Sequence, residues 1–505
     1  MGKEDFDIRK VRRMSDKKTT HFMAVLGTGF YEPVRYGDDE REEVFVQTAF
    51  IRKFYSQLSE NGRVSIFVTP KSKRLNWDDR EYTAQEENMA GRWVSERKKE
   101  VKCGNNRLGL GSVLQSLKEE FHNTSFELVT IPDGDNEEEI WEIFDSIYQN
   151  INENEEIIFD ITHSFRSIPM IVMAVINYTK LMKNCELWGI YYGAYEASVI
   201  EENSKIAPVF DITAYNEIME WANAVDSYSR FGDMKAIKYL YEKNRKKYVS
   251  AKEKKEWKGL EEIIDNMEGL SDALHTCRGA DTYSLENVKS QDKRKCSIGN
   301  AYAALKGSLN RNKESEKYKA IRPLYPLLEK AAEDFSRFDK KNNYEIGLET
   351  VRWSIDNEMI EQGYTALEET IKTFLCYKYD IDERFEETRG WVDAVILSMF
   401  FYRGDKYKDN EYDQTYLDSL FRFITEENGK SSEIYRKLSD EDKSKWKYMI
   451  MHVPNSFSEI SQKVKSFRND INHFGFRKNP QKPELLKKKL KDYYNELVSA
   501  INSMD

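Results

Sequence analysis

Near its C-terminal end the chain reads Arg468-Asn469-Asp470-Ile471-Asn472-His473, an arginine and a histidine five residues apart. Histidine, with an ordinary pKa of about 6.5, moves protons at neutral pH, and arginine stays charged and stabilises extra negative charge on phosphorus. Together they suit cleavage of RNA without a metal. In that reaction the 2′-hydroxyl attacks the neighbouring phosphate, leaving a cyclic phosphate and a free 5′-hydroxyl, and DNA lacks the nucleophile. With six histidines in the chain the bare spacing is a weak signal. On one helix Arg468 and His473 stand about 140° apart. Their convergence needs His473 on a fraying last turn, or two such helices meeting across a dimer axis. The context strengthens the pattern. It follows the helix-period segment Pro454–Phe467, precedes Gly475 as a helix stop, and lies within Ser461–Lys491, where ten Lys and Arg face only Asp470 and Glu484.

A second set of residues suits anion binding. Gly27-Thr28-Gly29 follows one short apolar run, and Asp160-Ile161-Thr162-His163-Ser164-Phe165-Arg166 follows another and leads into a helix start at Ser167-Ile168-Pro169. Threonine hydroxyls, a histidine ring, an arginine fork and helix N–H groups there converge on one anion-sized space. Lys71 follows a third run through Thr69-Pro70 and is placed to reach the same edge, as are Gly193 and Tyr195 after a fourth. A dinucleotide fingerprint needs a third glycine where this chain has Glu32, whose carboxylate would oppose a pyrophosphate. That argues against a nicotinamide or flavin oxidoreductase.

Both sets depend on the elements around them. Phe22–Leu26, Val64–Val68, Phe126–Ile131, Ile157–Ile161 and Leu187–Tyr192 are short, continuous and rich in Val, Ile and Phe, as strands buried on both faces of a parallel sheet are. Helix-period segments Val44–Leu58, Leu110–Phe121, Glu137–Ile147 and Ile168–Met182 alternate with them, which predicts a doubly wound α/β domain. Its ligands belong at the carboxyl ends of the strands, where both loops lie. Polar Lys71–Asn106 is too long for an ordinary connection and reads as an insertion or lid beside that edge. From Ile212 onward the strand pattern disappears. Ala222–Lys243, Tyr318–Phe335, Tyr344–Tyr379, Trp391–Phe401 and Pro454–Phe467 are predicted helices, with polar linkers near Lys246–Glu256 and Lys306–Glu316.

Composition bounds the function. The 505 residues are 40% hydrophobic, enough for two or three domains with cores of their own. The longest apolar run, Ile168–Ile176, is too short to span a bilayer, and the charged first twenty residues are no signal peptide. Five scattered cysteines suggest neither disulfides nor a zinc site, so the expected compartment is the reducing cytoplasm, with no membrane and no metal. A net charge of −10 argues against a protein that coats nucleic acid through its overall field, so any such site must be local.

Asp160-Ile161-Thr162-His163-Ser164, with Gly27-Thr28-Gly29, resembles the sensor domain of type III CRISPR ancillary effectors, the CRISPR-associated Rossmann fold or CARF domain. That family's loop commonly reads D-x-T-H-G, and here Ser164 stands at the glycine. Arg468, Asn469 and His473 in an all-helical half resemble the R-x4–6-H motif of HEPN ribonucleases. The double resemblance implies an extension over residues 1–20, a CARF-like α/β domain over 21–211, a helical linker region over 212–340 and an all-α HEPN-like domain over 341–505. It implies an endoribonuclease that cuts single-stranded RNA without a cofactor. Cyclic oligoadenylate, with cyclic tetra-adenylate favoured, would switch it on from a site built by Gly27, Thr28, Gly29, Lys71, Asp160, Thr162, His163, Ser164, Arg166, Gly193 and Tyr195 in a homodimer or an oligomer of dimers. The competing reading is a regulator without catalysis that senses a cyclic nucleotide and acts through its helical half.

Overall fold

The structure, a computed structural model, describes residues 18–83, 106–163, 168–201, 204–245, 251–279, 297–312, 324–403, 414–427 and 429–504. The chain divides into two compact units between Glu217 and Ile218.

The first unit is built on a six-stranded sheet. In chain order the strands of this unit are β1 (Thr20–Val25), β2 (Val34–Tyr36), β3 (Glu42–Glu43), β4 (Gly62–Val68), β5 (Arg80–Glu81), β6 (Asn106–Arg107), β7 (Thr124–Thr130), β8 (Glu156–Asp160), β9 (Glu186–Gly193), β10 (Val199–Glu201), β11 (Ser204–Ala207) and β12 (Val209–Asp211). The main sheet runs β7-β4-β1-β8-β9-β12. Its first five strands are parallel and β12 pairs antiparallel with β9. Strand order therefore reverses between β1 and β8, the topological switch point at which doubly wound sheets bind ligands.

The continuous apolar runs arise because both faces are covered. Phe22 and Ala24 of β1 face α1 (Val46–Lys53) and α2 (Leu110–Leu117), packing with Phe50 and Leu114. Met23 and Val25 turn to the other face, toward α3 (Glu137–Asn150) and α4 (Ile168–Met182), packing with Ile147 and Val175. Each fully buried Phe, Met, Leu, Ile or Val among them contributes roughly 1.5–3 kcal/mol relative to exposure. α3 starts at Asn136, whose side chain caps the Glu139 N–H, so the acidic run before it opens a helix.

Two strand expectations need correction. β7 is not buried on both faces: it is the sheet's edge, and of its seven residues only Thr124 is buried. β1 begins two residues earlier than its apolar run, because Thr20 and His21 are buried polar residues with partners. His21 Nδ1 lies 2.9 Å from Glu155 Oε2 and its Nε2 lies 2.8 Å from Ser65 Oγ, while Arg63 Nη1 donates to Glu155 Oε1 at 2.6 Å. Burial pushes the His21 pKa down, against the opposite pull of Glu155. Burial also pushes Glu155 upward, but its bonds from His21, Arg63 and the Asn152 N–H outweigh that and hold it at about 2.

The second unit is helical. Its elements are α5 (Thr213–Phe231), α6 (Lys235–Arg245), α7 (Ala251–His275), α8 (Ile298–Asn312), α9 (Tyr325–Asp334), α10 (Asn343–Asp356), α11 (Ile360–Lys378), α12 (Glu386–Arg403), α13 (Gln414–Arg422), α14 (Gly429–Arg436), α15 (Asp440–His452), α16 (Asn455–Asn472) and α17 (Pro483–Asn502). One core gathers Trp221, Tyr228, Met267, Leu305 and Phe335, and a second gathers Tyr364, Leu367, Phe374, Trp446 and Leu497. α10 supplies both, through Trp353 and Val351 respectively.

Two long predicted helices are broken. Ala222–Lys243 divides at Gly232, which has φ +64°, and Tyr344–Tyr379 divides at Glu358, which has φ +56°. A left-handed residue ends a helix whatever the apolar period on either side. Of the polar linkers, residues 251–256 belong to α7, and residues 306–312 belong to α8 with Leu309 buried. Lys306, Asn310 and Arg311 are exposed, which is compatible with a helix held by one apolar stripe. Residues 246–250 and 313–316 of those linkers lie outside the described residues. Among the described residues no helix is long and apolar enough to cross a membrane.

Candidate functional site

At the switch point of the first unit, the loops after β1 and β8 close on each other. The Gly27 N–H donates to Tyr31 Oη at 2.8 Å, and the Tyr31 ring meets the His163 ring edge-on with centroids 4.3 Å apart. A Cβ on Gly27 would fall 2.9 Å from the His163 Cβ, so this glycine lets the two loops approach. Around Gly29 the space is open. The D-x-T-H segment is knotted by its own side chains. Asp160 Oδ1 accepts from the Thr162 N–H at 2.8 Å and from Thr162 Oγ1 at 2.5 Å, and Thr162 Oγ1 accepts from the Gly193 N–H at 2.8 Å. This ties the end of β8 to the end of β9. Gly193 is a tight-packing position, where a Cβ would lie 2.9 Å from Val46 Cγ2.

Burial shapes the chemistry here. Asp160 is fully buried, which pushes its pKa up to about 7 despite the two bonds from Thr162. Burial pushes His163 down to about 4, so its ring is neutral. Asp160 Oδ2 and His163 Nε2 are buried without a hydrogen-bond partner. Such orphaned atoms cost free energy unless a ligand or water meets them.

The start of the predicted insertion holds the glycine loop from behind. Thr69 and Ser72 form a reciprocal cap on a short helical turn, Pro70–Ser72, which passes into a π-helical turn, Lys73–Trp77. Within it Asn76, 1% exposed, donates from Nδ2 to the carbonyls of Gly27 at 2.8 Å and Gly29 at 2.9 Å. Its Oδ1 is a third orphaned atom. The sequence analysis missed Asn76, and no local signal marks it, because a π turn has no distinct apolar period.

The other expected ligand residues divide. Lys71 is exposed on the capped turn. Tyr195 donates to Glu32 Oε2 at 2.6 Å, and Lys205 reaches both the Tyr195 hydroxyl and Glu32. Glu32 is thus held by partners of its own, and Lys205, which the sequence analysis also missed, balances its charge. Thr28 is partly exposed between the two glycines. Ser164 and Arg166, with Phe165 and Ser167, lie outside the described residues.

In the second unit the basic motif ends α16. Arg468 lies on its last turns with Nε 3.0 Å from Glu368 Oε2, a carboxylate on α11 that is only 3% exposed. The approach is close but not aligned as a hydrogen bond, since both atoms lack one. Arg468 Nη2 donates to Asn469 Oδ1 at 3.2 Å. Lys372 stands 3.6 Å from Glu368 and 2.9 Å from Glu369, which also receives Arg389 Nη2 at 2.5 Å. His473 is the C-cap and is exposed, and its N–H donates to the Asn469 carbonyl at 3.0 Å. His473 thus stands at the end of the helix rather than inside it. Arg468 and His473 make no hydrogen bond to each other among the described residues.

The basic stretch around the motif is partly neutralised. Lys463 pairs with Glu496, Lys465 with Asp393, Lys487 with Glu358 and Lys489 with Asp492. Arg477, Lys478 and Lys482 are exposed on the loop after His473. Among the described residues no group of three or more His, Cys, Asp or Glu is arranged to hold a metal ion.

Residues 21–197 match the family model described as CRISPR system endoribonuclease Csx1, CARF domain. The chain is 29% identical over 285 residues to the CRISPR-associated protein MJ1674 of Methanocaldococcus jannaschii, an alignment covering 55% of this chain and 39% of that protein. The chain therefore spans about two fifths of the length of that curated relative. Among solved structures, Enterococcus italicus Csm6 bound to cyclic hexa-2′-fluoro-hexa-dAMP aligns over 96% of this chain and 94% of that one, with a TM-score of 0.38 and 9% identity.

Proposed function

We propose, from the premise that residues 21–197 are a CARF domain of the Csx1 kind, that this chain is a cyclic-oligoadenylate-activated endoribonuclease of type III CRISPR defence. In this reading the sensor spans residues 21–211, and a helical ribonuclease domain over 341–505 follows the helices of 212–340. The protein works in the cytoplasm as a homodimer or an oligomer of dimers. The observation that carries the sensor assignment is the cluster of orphaned buried atoms, Asp160 Oδ2, His163 Nε2 and Asn76 Oδ1, around a glycine loop at the switch point. A nucleotide ring carries what they lack. Its base amino groups and ribose hydroxyls are donors, and its phosphates suit the loop N–H groups, with Lys71 and Arg166 as charge partners. Gly27, Thr28, Gly29, Thr162, Ser164, Gly193 and Tyr195 complete the site.

For cleavage, His473 at the open end of α16 moves the proton and Arg468 stabilises charge on the phosphoryl group. Glu368 orients the guanidinium from the core side, and Asn469 braces it from the next position. No metal or other cofactor takes part, and the substrate is single-stranded RNA because the attacking group is its own 2′-hydroxyl.

The test is a fluorescent single-stranded RNA incubated with the protein in EDTA, with and without cyclic tetra-adenylate. Cleavage that depends on the activator and yields cyclic phosphate ends is expected. Binding of the activator with no cleavage in any divalent condition would leave a sensor without catalysis.

A further inference from the structure

We infer that Phe474 and Phe476 form a stacking platform for the bases of the RNA strand next to His473, an inference that rests on the ribonuclease reading above. At 88% and 86% exposure they are the two most exposed large apolar side chains among the described residues. Single exposed apolar residues are ordinary. These two stack on each other, with centroids 6.4 Å apart and planes 23° apart.

Their backbone holds them there at a cost. The Gly475 N–H donates to the Asp470 carbonyl at 3.0 Å and the Phe474 N–H to the Ile471 carbonyl at 2.9 Å, the paired bonds of a Schellman stop. That motif places its C′ residue in the left-handed region, where glycine is favoured. Here the position belongs to Phe474, with φ +56°, and glycine comes one residue later with φ +70°. A bulky side chain in that region is strained, and the ring, almost wholly exposed, gains only its contact with Phe476 in return. The Phe476 N–H donates to the His473 carbonyl at 2.9 Å, so both rings are fixed within one turn of the histidine.

The surroundings indicate what the rings meet. From Ile471 to Pro483 the chain has no acidic residue, and Arg477, Lys478 and Lys482 are exposed on the same segment as the rings. Arg477 Nη1 donates to the Ser466 carbonyl at 3.0 Å, holding the loop against α16. Exposed π faces flanked by cations match a strand that offers bases and phosphates together, and stacking on aromatic side chains is the sequence-tolerant way to hold one.

The experiment uses the full chain carrying His473→Ala, so that RNA is bound but not cut. Fluorescence anisotropy is read with a short oligouridine and with an abasic strand of equal length. Phe474→Leu and Phe476→Leu should each weaken oligouridine binding by roughly 5- to 150-fold, and the Tyr variants should retain it. The abasic strand should bind weakly and equally to all of them. Phe474→Gly separates binding from folding: it relieves the left-handed strain, so melting temperature should rise while RNA affinity falls. Leu variants that bind oligouridine as tightly as the parent would overturn the inference. So would a parent that binds no RNA, or Leu variants whose defect is loss of self-association in sedimentation, which would assign the rings to a contact between copies. Failure of the ribonuclease reading shows separately, as undiminished cleavage by the His473→Ala chain.

Discussion

Removing His473 takes an exposed ring from a helix end, whereas removing Arg468 also strands Glu368, which is 3% exposed. The two alanine variants should therefore part company. Both should lose RNA cleavage by 10²–10⁴-fold, the usual range for general acid–base and charge-stabilising groups. Only Arg468→Ala should also lose stability, by about 1–3 kcal/mol. That is below the cost of breaking a fully buried pair, because Lys372 stays 3.6 Å from Glu368 and Arg468 is 26% exposed. Adding Glu368→Gln to Arg468→Ala should recover much of the melting temperature and none of the cleavage. Thermal melts and cleavage rates on the same samples check this, and equal melting temperatures for both single variants would contradict it. At the sensor edge, burial holds Asp160 near 7. An anionic ligand favours the neutral carboxyl, so activator affinity should be greatest below about pH 7 and fall by up to tenfold per unit above it. Calorimetry across that range should show Asp160→Asn flattening the profile; a slope unchanged by the substitution would place the anion elsewhere.

The strands that carry the sensor loops are tied at their other end by the His21, Ser65, Arg63 and Glu155 cluster. The folded pKa of Glu155, about 2, lies below its ordinary value of 4.5. Its contribution, about 3 kcal/mol, is therefore complete above pH 4.5 and is lost as pH falls toward 2. Burial lowers the folded pKa of His21, so protonation of the unfolded chain below about pH 6.5 pulls in the same direction. Acid should thus weaken the α/β unit. Denaturant midpoints measured from about pH 5 down to about pH 3 should fall steeply for the wild type and less for Glu155→Gln, which starts lower. Identical slopes would mean that other carboxylates dominate. The elements themselves were legible where burial on both faces makes an unbroken apolar run, as in β1, β4, β8 and β9. Helix ends were less so. Glu358 ends a segment through its backbone angle, and nothing in its residue type announces that.

At the scale of the whole molecule, the sensor loop and the Arg468–His473 motif lie in separate compact units about 300 residues apart in sequence. On the proposed reading, ligand can reach the cleavage site only by shifting an equilibrium between arrangements that bind it differently. Moving that equilibrium from about 1% to 99% active needs a differential of ~5.5 kcal/mol. A ring held across a two-fold axis would meet His163 twice, and losing roughly 1–3 kcal/mol from each subunit removes much of the differential. His163→Ala should therefore abolish activation while leaving the unstimulated cleavage rate intact. Rates measured against activator concentration check this, together with a stoichiometry of one ring per two chains. A mutant fully activated at wild-type concentrations would move the sensor edge away from His163.

What the amino-acid order determined by itself is the part written in local periods and short spacings. It set the five parallel strands, the helices between them, the helical second half, and the two loops at one edge, Gly27–Gly29 and Asp160–His163. Once strand order reverses between β1 and β8, those loops must face each other. Tertiary structure alone decided the pairs that join distant segments. Asn76 clamps the glycine loop from 47 residues away, Lys205 and Tyr195 hold Glu32, and Glu368 receives Arg468 from another helix. A buried polar or charged group is met by whatever the packed chain brings within about 3 Å of it. Neither residue of such a pair carries a local trace of the other, so the partnership exists only once the elements have packed.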